Sequence, residues 1–197
     1  MHCTPKHEAV EALGARMGEQ VKAEVLGITQ RLSARGGEAD GLLGWFEQEV
    51  MCAMKGVGQS LLAGLCALLV ERYAVAEISC ACGGRAVYQR QREGQTRTLF
   101  GDVAVKRPYY LCARCHQGRC PLDAELGFCA GGLSSGLSGL LALLGSEFVF
   151  ETAPHLLERL TLVHVSPNTC RKETERLGQL VAADEQATRG DLGLDLA

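Results

Sequence analysis

Residues 80–84 are Cys-Ala-Cys-Gly-Gly, and residues 112–115 are Cys-Ala-Arg-Cys. Each stretch holds two cysteines close enough to share a tight turn, and two such turns can supply four thiolates to one tetrahedral metal ion. The 29 residues between the pairs are rich in strand formers, so a β-hairpin would bring the pairs together. We therefore predict a structural Zn²⁺ site. Its predicted ligands are Cys80, Cys82, Cys112 and Cys115.

Two spare donors, His116 and Cys120, lie beside the second pair, so the sequence leaves the fourth ligand open. The competing interpretation is a set of reduced thiols without metal, or a redox pair. A redox pair favours C-x-x-C at the start of a helix, whereas Cys112 is expected to end a strand. Four thiolates leave no open coordination position, so the expected role of the metal is to fold this segment.

The composition of the 197 residues is that of an ordinary globular protein, with 47% hydrophobic residues, 22% charged residues and a formal net charge of −3. The longest uninterrupted apolar stretch, 61–70, is well short of the roughly 20 residues of a membrane span. The N-terminus has no apolar segment of the kind that forms a secretory signal. We therefore expect a soluble cytoplasmic protein without membrane contact, in which cysteines stay free or bind metal.

Apolar residues spaced by three and four predict two amphipathic helices ahead of the cysteine pairs, within residues 1–38 and 42–73. We expect these helices to pack on each other or on another chain. Turn signals at 93–94 and 101–102 then predict three short strands between the cysteine pairs.

The last third of the chain has the pattern of three further helices. Ser134 is a candidate N-cap for the first, and residues 150–160 form the second. Ser166 followed by Pro167 is a strong start signal for the third, because the hydroxyl caps free amides and proline suits the first helical position. The expected buried face of this third helix consists of Cys170, Leu177, Leu180 and Val181.

These patterns predict an α+β protein that is mainly α. It would combine N-terminal helices, a small β zinc ribbon and a C-terminal three-helix module resembling a helix-turn-helix. The expected divisions are an N-terminal helical region (1–76), the zinc ribbon (77–122), the helix-turn-helix-like module (133–183) and a frayed acidic tail (184–197).

Charge is distributed unevenly along the chain. Residues 80–119 carry eight basic and two acidic side chains, and seven of the eight are arginines, which suit forked contacts with phosphate. This balance favours contact with a nucleic-acid backbone. The expected phosphate contacts are Arg85, Arg90, Arg97, Lys106, Arg107 and Arg114. The alternative is a solvated basic face that the acidic helices of the same chain neutralise.

The third C-terminal helix supplies a second candidate surface for DNA. A helix-turn-helix places polar and basic residues of its second helix in the major groove, where Asn and Arg can pair with adenine and guanine. The expected contacts here are Asn168, Arg171, Lys172 and Arg176. The same pattern occurs in ordinary helical bundles, which is the alternative interpretation.

One ordered succession of motifs connects these segments. It runs from Cys-Ala-Cys-Gly-Gly-Arg-Ala (80–86) through Leu-Phe-Gly-Asp-Val-Ala-Val-Lys-Arg-Pro-Tyr-Tyr-Leu-Cys-Ala-Arg-Cys (99–115) to Cys-Pro-Leu-Asp (120–123) and Val-Ser-Pro-Asn-Thr (165–169). Over residues 45–182 the chain resembles the N-terminal part of insertion-sequence transposases of the Kra group. The resemblance implies a zinc ribbon and a helix-turn-helix-like module ahead of an RNase H-like catalytic domain with clustered acidic residues.

The chain departs from that family where the catalytic domain would begin. Two-metal phosphoryl chemistry needs carboxylates from separate strands, but the last acidic residues lie in a short polar tail. These residues are Asp184, Glu185, Asp191 and Asp195. We therefore expect a DNA-binding transposase fragment that is not an enzyme and that binds double-stranded DNA at the element ends. The alternatives are a remnant that only self-associates as a homo-oligomer, and an active transposase.

Overall fold

The computed structural model of this chain describes residues 6–35, 41–70, 73, 75–128 and 132–191. Within them the helices are α1 (His7–Ala34), α2 (Leu42–Val70), α3 (Pro121–Glu125), α4 (Ser135–Glu147), α5 (Ala153–Thr161) and α6 (Pro167–Asp191). The strands are β1 (Glu77–Ser79), β2 (Arg85–Thr98), β3 (Gly101–Cys112) and β4 (Gly118–Arg119). The expected α+β class with a helical majority is confirmed.

The four strands form one antiparallel sheet in the order β1-β2-β3-β4. The prediction of three strands between the cysteine pairs was wrong, because β2 continues through the expected turn at residues 93–94. Gly94 pairs with Val105 in the ladder. A Cβ at Gly94 would collide with the Arg107 guanidinium, so this glycine admits a neighbouring side chain and forms no turn.

The helices α1 and α2 pack together as an antiparallel pair, which is one of the two arrangements that the apolar spacing predicted. Leu13 packs directly on Gly64, where a Cβ would overlap the leucine side chain. Arg31 and Glu49 form an ion pair of 2.6 Å near the other end. The pair is therefore held by close packing at one end and by charge at the other.

A second side of α2 covers the sheet. Val103 and Val105 of β3 are almost fully buried and pack against α2 side chains that include Leu62 and Cys66. In the described part of the chain, α2 is one helix whose length and apolar composition would suffice to cross a membrane. In its most apolar stretch of 18 residues 17% of the positions are buried, and the helix contacts both the sheet and α1.

The helices α4, α5 and α6 surround a separate apolar core. The residues buried in it are Leu133, Leu137, Leu141, Leu144, Ala153, Leu157, Val163, Val165 and Cys170. Both predicted N-caps are confirmed: Ser134 Oγ accepts from the Leu137 amide at 3.3 Å, and Ser166 Oγ accepts from the Thr169 amide at 3.2 Å. Local hydroxyl chemistry therefore fixes where α4 and α6 begin.

The far half of α6 differs from its prediction. Leu180 and Val181 were expected to be buried, but they are 55% and 58% exposed. The helix also continues to Asp191, through residues expected to form a frayed tail, while residues 192–197 lie outside the described part. The reason is length: α6 has 25 residues and its packing partner α4 has 13, so α6 extends beyond the core.

Hydrogen bonds join the C-terminal helices to the sheet and to α2. The Arg97 amide donates to the Gly132 carbonyl at 2.6 Å, and the Ser134 amide donates to the Arg97 carbonyl at 2.8 Å. Lys55 Nζ donates to the Leu162 carbonyl in the turn between α5 and α6. These bonds place the start of α6 beside the hairpin end of β2.

Candidate metal centre and nucleic-acid interface

Four sulfur atoms converge at the end of the sheet opposite the β2–β3 turn. The ligand atoms of Cys80, Cys82, Cys112 and Cys115 all lie within 4.8 Å of one another. Two sulfur–sulfur distances, Cys80 to Cys115 and Cys82 to Cys112, are 3.6 Å. A tetrahedral site with Zn–S bonds of about 2.3 Å requires sulfurs about 3.8 Å apart, so the spacing is compatible with zinc.

Two hydrogen-bonded turns position these sulfurs. In the first, the Gly83 amide donates to the Cys80 carbonyl at 3.0 Å, and Gly83 has a φ of +77°, which favours glycine. In the second, the His116 amide donates to the Cys112 carbonyl at 2.9 Å. Ala86 pairs with Cys112 across β2 and β3, which brings the two turns to the same end of the sheet.

Gly84 leaves room for the sulfurs. A Cβ at this position would lie 3.2 Å from Cys112 Sγ and 3.3 Å from Cys82 Sγ. Any side chain here would press on two of the four sulfur atoms. Gly84, the second glycine after the first cysteine pair, therefore has a packing role at the site.

Backbone amides also prepare the site for thiolates. The amides of Cys115 and Arg114 donate to Cys112 Sγ and lower the pKa of this thiol to about 6. The Gln117 amide donates to the Cys115 sulfur and lowers its pKa, but hydrogen bonds with the Cys82 thiol, burial and the other thiols outweigh it and raise that pKa to about 12. One sulfur thus ionises readily while a neighbour keeps its proton, and a bound cation would release that proton.

The two spare donors stay outside this group. Neither His116 nor Cys120 belongs to the cluster, although both are among the described residues. Burial and the nearby Asp123 carboxylate raise the pKa of the Cys120 thiol. The geometry therefore gives the fourth position to Cys115.

Three of the basic residues expected to contact phosphate are paired with carboxylates of this chain. Arg85 lies 2.8 Å from Glu77. Arg97 makes a two-pronged pair with Asp102 at 2.7 and 3.2 Å, which raises the pKa of the arginine and lowers that of the aspartate. The third pair is Arg107 with Asp123.

Arg107 does not occupy the surface position that the sequence suggested. Its side chain is 17% exposed, and its guanidinium lies 5.1 Å from the centre of the Phe128 ring. A phosphate would have to displace Asp123 to reach it. Its role in this fold is to anchor α3 to β3.

The remaining expected phosphate contacts are exposed. Arg90, Lys106 and Arg114 form no ion pair within the described residues, and Arg114 donates to the Cys82 carbonyl at 3.1 Å. Arg92 lies over the Tyr109 ring at 4.9 Å. These exposed charges are spread over the hairpin, and Arg114 lies in the turn that holds Cys112 and Cys115.

At the start of α6 three of the four expected DNA contacts are exposed: Asn168, Arg171 and Lys172. Asn168 Oδ1 accepts from Arg171 at 3.2 Å, so the two polar groups are arranged together. The fourth, Arg176, instead pairs with Glu173 at 2.5 and 3.0 Å.

Glu173 is a buried charge that the sequence analysis missed. It is 6% exposed, and its hydrogen bond with Arg176 is the main cause of a lowered pKa. A signal was available, because Glu173 follows Cys170 by three residues and precedes Leu177 by four, which puts it on the inner face of the helix. Because Arg176 pairs with this buried carboxylate, its side chain stabilises the fold and is not presented to DNA as expected.

The two candidate DNA-contact regions meet at a polar cleft of about 250 Å³. Gln95 and Arg97 line it from β2, and Thr169 lines it from the start of α6. The start of α6 therefore lies beside the turn end of the hairpin.

Comparisons of the chain with known protein families, curated proteins and solved structures found no match. The residues of the two candidate sites are therefore the basis for inferring a function.

Proposed function

We propose that this chain is a zinc-binding DNA-recognition module, the part of an insertion-sequence transposase that binds double-stranded DNA at the ends of the element. The observation that carries the proposal is the convergence of four cysteine sulfurs at one end of an arginine-rich hairpin. The other end of that hairpin adjoins the polar start of α6.

Zinc would act by folding the end of the hairpin. Four thiolates fill its tetrahedral coordination, so the ion orders the two turns and offers no site for substrate. Amides that donate to Cys112 and Cys115 support the thiolate ligands, as hydrogen bonds around bound ligands commonly do. Arg114 lies inside the second turn, so its position relative to DNA would depend on the metal.

The hairpin and α6 would contact different parts of the DNA. Arg90, Lys106 and Arg114 would contact phosphates and set the register without sequence preference. Asn168 and Arg171, at the start of α6, have the donors and acceptors that distinguish adenine and guanine in the major groove. The 14 residues of β2 span about 45 Å, which corresponds to about 13 base pairs of B-DNA.

Assignment to a transposase depends on the motif succession of residues 45–182, which resembles the Kra group. In that arrangement the chain supplies recognition in the cytoplasm, and a catalytic domain of the RNase H type would supply strand cleavage. We therefore propose no reaction for the residues described here.

The test is DNA binding by the zinc-loaded chain, measured by fluorescence anisotropy on duplexes tiled across the DNA that flanks its own coding sequence. We expect preference for one terminal duplex and an affinity that falls steeply with salt, because phosphate contacts release counterions. Failure to bind any duplex at low salt would contradict the proposal. It would favour the second candidate, a self-associating chain without DNA affinity, which the exposed apolar side of α1 and α2 supports.

Variants separate the two kinds of contact. The double variant Arg90→Ala with Lys106→Ala should weaken binding to all duplexes alike. It should also reduce the slope of log affinity against log salt concentration by about two. Arg171→Ala should weaken the binding free energy for the terminal duplex by about 1–3 kcal/mol and so lower the preference for that duplex. Arg85→Ala is the matched control, since Arg85 is paired with Glu77. Equal losses in all three variants would contradict this division.

A further inference from the structure

The hairpin of α1 and α2 exposes a row of apolar side chains on each helix. On α1 the row consists of Val10, Val21 and Val25, which are 41–55% exposed, while Leu26 is exposed on another side of the helix. On α2 the row consists of Leu43, Val50, Met54, Leu61 and Leu65, which are 39–72% exposed, and Met51 is exposed beside it. We call the eight residues of the two rows the apolar face.

Helical geometry puts both rows on one side of the pair. The α2 residues are spaced by seven and four, which keeps them within one narrow stripe of a helix with 3.6 residues per turn. Gly64 turns toward Leu13 of α1, and Leu62 and Cys66 turn toward the sheet. The stripe lies between these two covered sides of α2. On α1 the exposed valines flank the side that carries Leu13.

The apolar face is large for a surface that only meets water. Its side chains expose on the order of 700 Å², whereas monomeric proteins rarely leave more than a few hundred Å² in one apolar patch. A standard protein interface buries about 800 Å² on each partner. The apolar face is therefore large enough for a stable interface.

Its charge pattern disfavours membranes and nucleic acid as occupants. The two helices together carry six acidic and four basic side chains. Helices that lie on anionic membranes are rich in Lys and Arg, and DNA repels a net negative surface. An occupant with an equally apolar and nearly neutral surface fits better.

We infer that a second copy of this chain covers the apolar face. The helices have 28 and 29 residues, so two antiparallel pairs related by a twofold axis would present matching lengths and close a four-helix bundle. Each chain would place Leu43, Val50 and Met54 against the apolar face of its partner. This dimer goes beyond the proposed DNA-binding function and does not depend on it.

The experiment is sedimentation equilibrium of the full zinc-loaded chain at micromolar concentration. The wild-type chain is expected to be a dimer. Val50→Lys combined with Met54→Lys is expected to raise the dimer Kd at least about 100-fold, because it buries charge at the centre of the interface. Leu160→Lys is the control, since Leu160 is an exposed apolar residue on α5 (61% exposed) and lies outside the apolar face. It should leave the dimer intact.

The Leu43→Lys variant distinguishes loss of the interface from loss of folding. Leu43 is 72% exposed at the first turn of α2, so this variant should retain the wild-type circular dichroism and still raise the dimer Kd about 10-fold. A monomeric wild-type chain would overturn the inference, as would a dimer that survives the lysines at positions 43, 50 and 54. Flotation of the wild-type chain with anionic phospholipid vesicles would also overturn it in favour of a membrane surface.

Discussion

The two ends of the β2–β3 hairpin are stabilised in different ways. At the sulfur end the buried cluster consists of Cys80, Ala86, Tyr110 and Cys112. At the turn end the hairpin meets the hydrophobic core of α4, α5 and α6, which contains nine buried residues. A core of two cysteines, an alanine and a tyrosine buries too little apolar surface to hold two turns in place. Metal ligation would supply the missing stability at the first end, whereas hydrophobic burial suffices at the second.

The largest effect should come from breaking the sulfur end. We expect Cys112→Ser to abolish tight metal binding, from about one ion per chain to near none, because it removes one of the four sulfur ligands, a thiol whose pKa is lowered to about 6. Elemental analysis of the purified chain measures this directly. Hydrogen exchange should accelerate at β1 and β4 and stay slow in α4.

Cys52→Ser is the control for this experiment, since Cys52 is an exposed free thiol on α2. Retention of a full equivalent of tightly bound metal by Cys112→Ser would contradict the four-sulfur site. Unfolding of α4 together with the sheet would contradict the independence of the two ends.

The next effect tests the helical core. Leu141→Ala should lower the free energy of unfolding by about 2–5 kcal/mol, because Leu141 is fully buried and its truncation leaves a cavity. Leu143→Ala on the same helix should change it by less than about 0.5 kcal/mol, since Leu143 is 59% exposed. Urea unfolding measures both. A loss of metal binding in Leu141→Ala would show that the two ends are not independent.

The smallest expected effect concerns pH and Glu173. The Arg176 hydrogen bond lowers the pKa of this carboxyl in the folded chain. The stability that ionised Glu173 contributes to the folded chain is therefore complete above the unfolded pKa of about 4.3. It is lost as the pH falls through the lowered pKa of the folded chain. Glu173→Gln should lower the free energy of unfolding by about 1 kcal/mol at neutral pH and make that free energy less sensitive to acid.

Glu175→Gln is the control, because Glu175 is exposed and lies 3.9 Å from Arg171. Unfolding curves between neutral and acidic pH compare the two variants. The same acid sensitivity in Glu173→Gln and Glu175→Gln would refute the role of the buried carboxylate.

Features that depend on neighbouring residues could be predicted from the sequence. The caps at Ser134 and Ser166 follow from hydroxyls placed just before apolar helices, and the cysteine cluster follows from two short spacings. Features that depend on distant partners could not. Gly94 was predicted to form a turn because the Arg107 side chain that it accommodates is 13 residues away. Leu180 and Val181 were predicted to be buried from their apolar spacing, but they are exposed because α4 is too short to cover them, and the sequence of α6 does not encode the length of α4.

The bond from Lys55 to the Leu162 carbonyl has a consequence for any paired form of the protein. It ties α2 to the turn that precedes α6, and Gln59 adds a second tie from α2 to the Asp102 carbonyl. In a twofold assembly built on α1 and α2, the two α6 helices would therefore be held at one fixed separation. Such a pair would accept target sequences whose halves lie a single distance apart, and inserting half a helical turn of DNA between them would abolish joint binding.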